Sequence, residues 1–386
     1  MNTSSPRLRI LVPMLLVVSV AAQPFVPPDG DFVLEAVKAS GTVALRKEMR
    51  SLERWVAADP GNTAAALRLA EVHIGLARED ADPRHLGRAE AVLSPWLTGS
   101  RVSTEARVLR SAVRQGVHDF EGAMADLDAA LAAEPTHVGA WLARLTIQCV
   151  RSDFEGARRS AARLLRSGDE LVATAAAAQV ASLTGNSAGA ARMLETAVGR
   201  NPSATPGMRS WCLALLADIR MRRGERSLAD VAFRGALALA PRDPQILGAY
   251  ADFLIDQGRG VEVGTLLAEF PQVDALQLRV AEAETDKSAR ARVVARLRSG
   301  IELNRARGDR VHLREEARFH LRLLGDATGA LGLAVDNWKV QREPADARML
   351  LEAAKAAGDA ESARRLLETL RAQGLEDIAL GLPPRS

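Results

Sequence analysis

The chain has 386 residues, 47% of them apolar and only 4% aromatic, with a formal charge of +3. That is ample for a large core, built from leucine and alanine rather than from rings. A charge this near balance makes no field for polyphosphate, and Tyr250 with the scattered Phe and Trp residues makes no base-stacking platform, so no nucleic-acid partner is expected.

Arg7 and Arg9 precede Ile10 to Ala22, a run that is apolar apart from Ser19 and contains Pro13. Too short for a comfortable membrane span, and ending in Val20-Ala21-Ala22, it predicts a secretory signal over residues 1–22 cleaved before Gln23. The expected location is then periplasmic or secreted. The alternatives are an uncleaved anchor in the inner membrane facing the periplasm, which would be the protein's sole membrane contact, and an ordinary helix on a cytoplasmic adaptor. No Cys follows the run, so a lipoprotein anchor has no acceptor. Prolines at 24, 27 and 28 make residues 23–30 a spacer, and the folded part is expected from Asp31.

Ala, Leu, Arg and Glu lose least rotamer freedom in a helix and predominate throughout, whereas no alternating run suggests a sheet. Residues 31–103 read as N-terminal helical pairs: one helix closing at Trp55 and Asp59-Pro60, then Thr63 to Leu76 and Pro83 to Leu97, with some seven inserted residues at Ala77 to Pro83. Two identical strings follow, Asp119-Phe120-Glu121-Gly122-Ala123 and Asp153-Phe154-Glu155-Gly156-Ala157, 34 positions apart. Small, large, small and proline recur in register: Ala229, Phe233, Ala236, Pro241; Ala123, Leu127, Ala130, Pro135; Ala190, Leu194, Ala197, Pro202. Around Ala157 the sizes reverse, Ala161 then Leu164, with Asp169 at the proline position. Spacings of 34, 33 and 39 between the leading alanines put about five extra residues in the last interval, expected in the loop from Ser203 to Gly207.

This pattern resembles the tetratricopeptide family over residues 104–271. The resemblance implies an all-α, right-handed superhelical solenoid of antiparallel helix pairs, each pair burying its apolar faces against its neighbours. Small residues fall where helices cross, large ones fill the gap between repeats, and proline stops the second helix. Residues 272–376 continue the rhythm as six helices, Asp274 to Glu284, Ser288 to Arg307, Arg310 to Leu324, Thr328 to Gln341, Asp346 to Ala357 and Ala360 to Gln373, before a tail at 377–386. From Asp31 the count is about ten pairs, which leaves no room for a separate catalytic domain.

Several constellations compete for a chemical role. His312, Glu316 and His320 share a helix face but drift about 80° around it, without a further ligand; Glu316 is expected to pair with an Arg and His320 to be partly buried. Cys149 and Cys212 fall on first helices two units apart, beyond disulfide reach, and are expected as buried free thiols. The five tryptophans, Trp55, Trp96, Trp141, Trp211 and Trp338, are expected in the core. Gly185-Asn186-Ser187-Ala188-Gly189 matches the letters of a hydrolase nucleophile elbow, but the register places it in a turn between paired helices instead of after a strand. Eleven Lys and Arg stand against five acids between Asp286 and Arg322, expected as a solvated face, with docking of an acidic partner or membrane headgroups as the sharper reading. No Gly-rich phosphate loop or Cys-x-x-Cys is present, and no cofactor or metal is expected.

The resemblance also implies a concave surface lined by first helices, holding a segment of a protein partner. Mapped by the family's pattern, that face is Leu109 and Val113, Ala143 and Ile147, Ile219 and Arg222, Phe253 and Asp256. The Lys and Asn set with which some family members clamp a C-terminal carboxylate is missing there, so the expected partner segment is apolar or amphipathic. The reading is a non-enzymatic interaction scaffold in the bacterial envelope. Its rivals are a helical-array hydrolase or transglycosylase on envelope polysaccharide, which would need two opposed carboxylates in a cleft, and a cytoplasmic regulatory adaptor.

Overall fold

A computed structural model describes residues 43–99, 102–306 and 312–384. The signal and spacer expected over residues 1–30 lie outside them. Among the described residues there are nineteen α-helices and no strand, only an isolated antiparallel bridge between Asp377 and Leu382. None of these helices is long and apolar enough to cross a membrane.

Helix α1 (Val43–Ala58) is followed by nine antiparallel pairs in sequence order: α2 (Thr63–Asp80) with α3 (Arg84–Leu93), α4 (Thr104–Gly116) with α5 (Phe120–Ala133), α6 (Val138–Val150) with α7 (Phe154–Leu164), and α8 (Glu170–Leu183) with α9 (Ser187–Arg200). Then come α10 (Pro206–Arg222) with α11 (Arg226–Leu239), α12 (Pro244–Asp256) with α13 (Gly260–Leu266), and α14 (Asp274–Ala283) with α15 (Lys287–Ala306). The last two are α16 (Leu313–Arg318), prolonged by a π-helical segment Phe319–Leu324, with α17 (Ala327–Val340), and α18 (Pro344–Ala356) with α19 (Ala360–Gln373). Each first helix also packs on the first helix of the next pair, α2 on α4, α4 on α6, and so on to α14, which sets the first helices as the inner layer of an all-α solenoid.

The alternation of small and large residues does what close helix approach requires. Ala123, Ala157, Ala190 and Ala229 are each fully excluded from solvent, and Leu127, Leu194 and Phe233 fill the seams beside them. The rings of Phe233, Tyr250 and Phe253 meet at centroid distances of 5.3 to 6.1 Å, so the largest apolar cluster runs without a break from Leu171 to Leu276. Pro135, Pro202 and Pro241 stand just beyond the ends of α5, α9 and α11.

The twin strings are turns with a cap. Asp119 accepts from the Gly122 N–H and Asp153 from the Gly156 N–H, each at 2.9 Å, so the Asp is the N-cap of a second helix. A side chain on either glycine would start 2.1 Å from the capping carboxylate. Asn186 and Asp326 cap α9 and α17 onto Gly189 and Gly329 in the same way. Just before each cap the chain passes through the left-handed region, at His118, Ser152, Gly185, Gly224, Gly258, Gly325 and Gly358.

Several boundaries differ from expectation, each for a local reason. Three of the extra residues of the long interval lengthen α10, 17 residues against 14 for α8, because Thr205 caps its start and Pro206 takes the first helical position, where no N–H is needed. Most of the insertion expected at 77–83 is an additional turn of α2, which runs to Asp80 and stops at left-handed Ala81. Trp96 is buried and Trp141, Trp211 and Trp338 pack against core clusters, but Trp55, near the end of α1, is 60% exposed. The tail is part of the fold: Leu380 and Leu382 are buried in the core of the last two pairs.

Candidate partner-binding face

First helices present three kinds of position: toward the previous first helix, toward their own second helix, and toward the inner side. The eight mapped residues divide among these. Val113, Ile147, Ile219 and Phe253 are at most 5% exposed and belong to the seams between helices. Leu109 and Ala143 are half-buried against clusters that join their own first helix to the preceding pair. The half-exposed residues that accompany the four buried ones stand one position earlier, at Ala112, Thr146, Asp218 and Asp252. One residue is 100° of helix, which turns a side chain off the seam.

Arg222 and Asp256 are brought to one edge of the array, where the first helices end, and both are engaged by the C-terminal part of the chain. Arg222 is 2% exposed; it donates to the Asp218 carboxylate at 2.9 Å, to the Ser182 carbonyl at 3.1 Å and to the Glu376 carbonyl at 3.4 Å. Asp256 receives both Nη atoms of Arg348, with Oδ1 at 2.6 Å.

A ladder of ion pairs ties the late first helices together. Asp252 sits between Arg279, with contacts of 3.0 and 2.9 Å, and Arg318 at 2.6 Å. Burial alone would raise its carboxyl, but the two guanidinium groups outweigh burial and hold it down at about 2. Arg318 also binds Glu282 at 2.9 Å, and Arg314 reaches Asp346 at 3.2 Å. Every cation here already has its carboxylate, a pattern that fixes helix against helix.

The other candidates resolve structurally. Glu316 pairs with Arg305, and His320 lies between Asp326 at 2.8 Å and Arg305 at 3.2 Å, so two of the three donors of that face are held by protein partners. Among the described residues no group of three or more His, Cys, Asp or Glu is arranged to hold a metal ion. Cys149 and Cys212 are free and buried, and burial pushes both thiols up to about 12, which makes them poor nucleophiles. Ser187 is fully buried at the start of α9, with its hydroxyl on the Glu376 carboxylate and Arg223 donating to it at 2.9 Å. Its elbow-like letters are a left-handed turn residue, Gly185, a cap, Asn186, and the capped glycine, Gly189. On α15 only Leu297 is buried, so its arginines form a largely solvated face.

What the first-helix layer and its turns define is an all-α solenoid of tetratricopeptide-like helix pairs. No family model and no curated protein matches the chain. Among solved structures it is similar to the Cut9–Hcn1 hetero-tetramer of the APC/C, at a TM-score of 0.53 and 13% identity over 87% of this chain; it spans 65% of that chain's length. A tetratricopeptide repeat protein from Parabacteroides merdae matches at 0.38 and 12% identity, covering 74% of this chain and 98% of that one. Yeast Tom70 matches at 0.43 and 12%, covering 86% and 82%. The likeness to Cut9–Hcn1 establishes the fold.

Proposed function

We propose that this protein is a non-enzymatic interaction scaffold that holds a segment of another protein along its first-helix layer. The supporting observation is the half-exposed line carried by first helices, Ala112, Thr146, Asp218 and Asp252, with Leu109 and Ala143 beside it. It mixes apolar and polar groups over several repeats, which suits an extended or amphipathic segment better than a small molecule. Charged residues near it are held in ion pairs, not converged on a reacting point. The location proposed is the bacterial envelope, from the signal-like residues 1–22.

A photo-crosslinking residue at Thr146, compared with one at the outward Val231, which is 68% exposed, tests the face. A discrete protein adduct from position 146 alone is the expected result. Equal labelling from both positions, or none from 146, removes the first-helix layer as the binding face. Mass measurement of the mature chain tests the location: the N-terminus is expected at Gln23, and an intact Met1 on protein from the cytoplasm would overturn export.

A further inference from the structure

The turns between first and second helices line one edge of the array, and four in succession touch the C-terminal part of the same chain. At His118 the ring Nε2 lies 3.2 Å from Gln341 Nε2. At Ser152 the hydroxyl lies 3.5 Å from the Arg342 carbonyl, while the Arg342 N–H donates to the Val150 carbonyl at 2.8 Å. At Gly185 the turn runs against Gly374, and Ser187 just beyond it gives both its N–H, at 3.2 Å, and its hydroxyl to the Glu376 carboxylate. At Gly224 the turn meets Ile378. One turn further, Asp256 holds Arg348.

We infer that the C-terminal body from Leu313 to Leu382 is a clasp, which sets Gln341 to Leu382 on the turn edge of its own array and is able to leave that edge while both sides stay folded. This inference needs no partner and stands whether or not the proposed function does.

The residue types at the left-handed turn position fit the inference. A non-glycine residue with positive φ is uncommon, because its Cβ crowds the backbone. Among the turns that precede a capped second helix, the two that carry a side chain at this position, His118 and Ser152, are the two that use it to reach Gln341 and Arg342. At two close approaches a glycine stands, Gly224 on the turn edge and Gly374 on the arm. A Cβ on Gly224 would lie 2.9 Å from Ile378, and one on Gly374 would lie 3.3 Å from the Thr184 backbone.

Chemistry separates this joint from the seams of the array. The last two pairs and the tail have their own apolar cluster, Ala317 to Leu382, in which Leu183 is the contribution from the middle repeats. Contacts across the joint are otherwise Ile378 on the Gly224 turn, a backbone hydrogen bond, side-chain hydrogen bonds and ion pairs from Arg348 and Arg318, mostly the make-up of interfaces that open. The arm's covalent route to the array passes a thin seam, a cluster whose buried members are Leu278, Leu297 and Phe319. That seam, whose apolar anchor on the arm's side is Phe319 with Leu323 and which pivots on the Arg318 ion pairs to Asp252 and Glu282, is the natural hinge.

The test is a charge reversal in the full-length chain, read far from the reversed pair. Asp256→Arg sets two cations together; Arg348→Asp sets two carboxylates; the double variant restores an ion pair. Hydrogen–deuterium exchange is followed in peptides containing Arg342 and in Leu375 to Leu382, with α10 and α11 as internal reference. Each single variant is expected to speed exchange in those two places on the order of tenfold, with the reference unchanged. The double variant is expected to return it. If α10 and α11 lose protection in step with the arm, arm and array are one cooperative unit and the inference fails. Should the single variants unfold the chain, Glu376→Gln, which weakens the carboxylate contact at Ser187, serves instead; unchanged exchange at Leu375 to Leu382 then also overturns it.

Discussion

The middle repeats and the C-terminal arm are both helix pairs, yet they are held by different physics. From α8 to α14 each pair meets the next through one continuous apolar cluster, and Phe233, with the rings of Tyr250 and Phe253 against it, is 1% exposed. The arm meets the same repeats through turn residues, a carboxylate and a guanidinium. Apolar seams are non-directional and lose free energy roughly in proportion to the area opened, so they fail together. Polar joints depend on geometry and exchange readily for water, so they open one at a time. A solenoid that uses the first for its body and the second for its end is stiff along its length and releasable at one edge.

The most direct way to break this contrast is to hollow out a seam. Phe233→Ala removes a ring that packs on Tyr250 and Phe253 at centroid distances of 5.3 and 5.7 Å. The expected loss is about 3–5 kcal/mol, from lost burial and the cavity left behind. Chemical denaturation followed by circular dichroism checks it. Because the seam is continuous, protection should fall across α8 to α14 together; a loss confined to α11 would mean that the repeats are not coupled in the way the apolar cluster implies.

A second experiment sharpens the contrast by finding a polar contact inside a seam. His73 on α2 and His85 on α3 are 2% and 4% exposed, with their Nδ1 atoms 3.0 Å apart, so one ring must donate and the other accept. Burial, then the neighbouring His85 and Arg88, lowers His73 to about 4, and burial lowers His85 as well, with Asp82 and Asp80 opposing and Arg88 and Arg46 reinforcing. The unfolded chain, with histidines at about 6.5, therefore takes up protons that the folded chain refuses. Stability should be fully present above about pH 6.5 and fall as the pH drops toward about 4, by about 2 kcal/mol between pH 7.5 and 5 from His73. Urea titrations across that range measure it. The variant His73→Leu with His85→Leu should flatten the slope, and an unchanged slope would place the acid sensitivity elsewhere.

How much of this could be seen in the chain alone follows from the range of each signal. The helix pairs are legible because the small-large-small-proline pattern of Ala229, Phe233, Ala236 and Pro241 repeats locally, and each copy corroborates the next. Which positions of a first helix lie in a seam and which stand half-exposed is legible only to within one residue. Ile147 and Thr146 differ by 100° of rotation, and an alanine- and leucine-rich helix offers no polar boundary sharp enough to choose between them. The C-terminal joint is not legible at all. Gln341 and His118 are 223 residues apart, Glu376 and Ser187 are 189 apart, and no periodicity links them. The repeat pattern puts Arg222 and Asp256 in the groove, but what sits on them is set by the curvature of the whole stack.

The smallest effect separates the twin strings themselves. Replacing Gly122 by Ala brings a Cβ to 2.1 Å from the Asp119 carboxylate, whose atoms are its three nearest neighbours, so the cap is displaced, at about 1 kcal/mol, while the helix gains a comparable amount from alanine. Gly122→Ala should be nearly neutral in thermal denaturation. Gly156→Ala meets the same cap, Asp153, and also Gln148 Nε2 at 2.4 Å. Gln148 is buried and accepts from the Ser160 hydroxyl at 2.7 Å, so displacing it leaves a buried donor unsatisfied, a further loss of about 1–3 kcal/mol. Asp153 also follows Ser152, whose left-handed backbone places its hydroxyl on the Arg342 carbonyl, so Gly156→Ala alone of the two should loosen the amide of Arg342. Equal behaviour of the two alanine variants would show that the identical strings are identical in their surroundings as well, and that the edge of the array does not feel the helix beneath it.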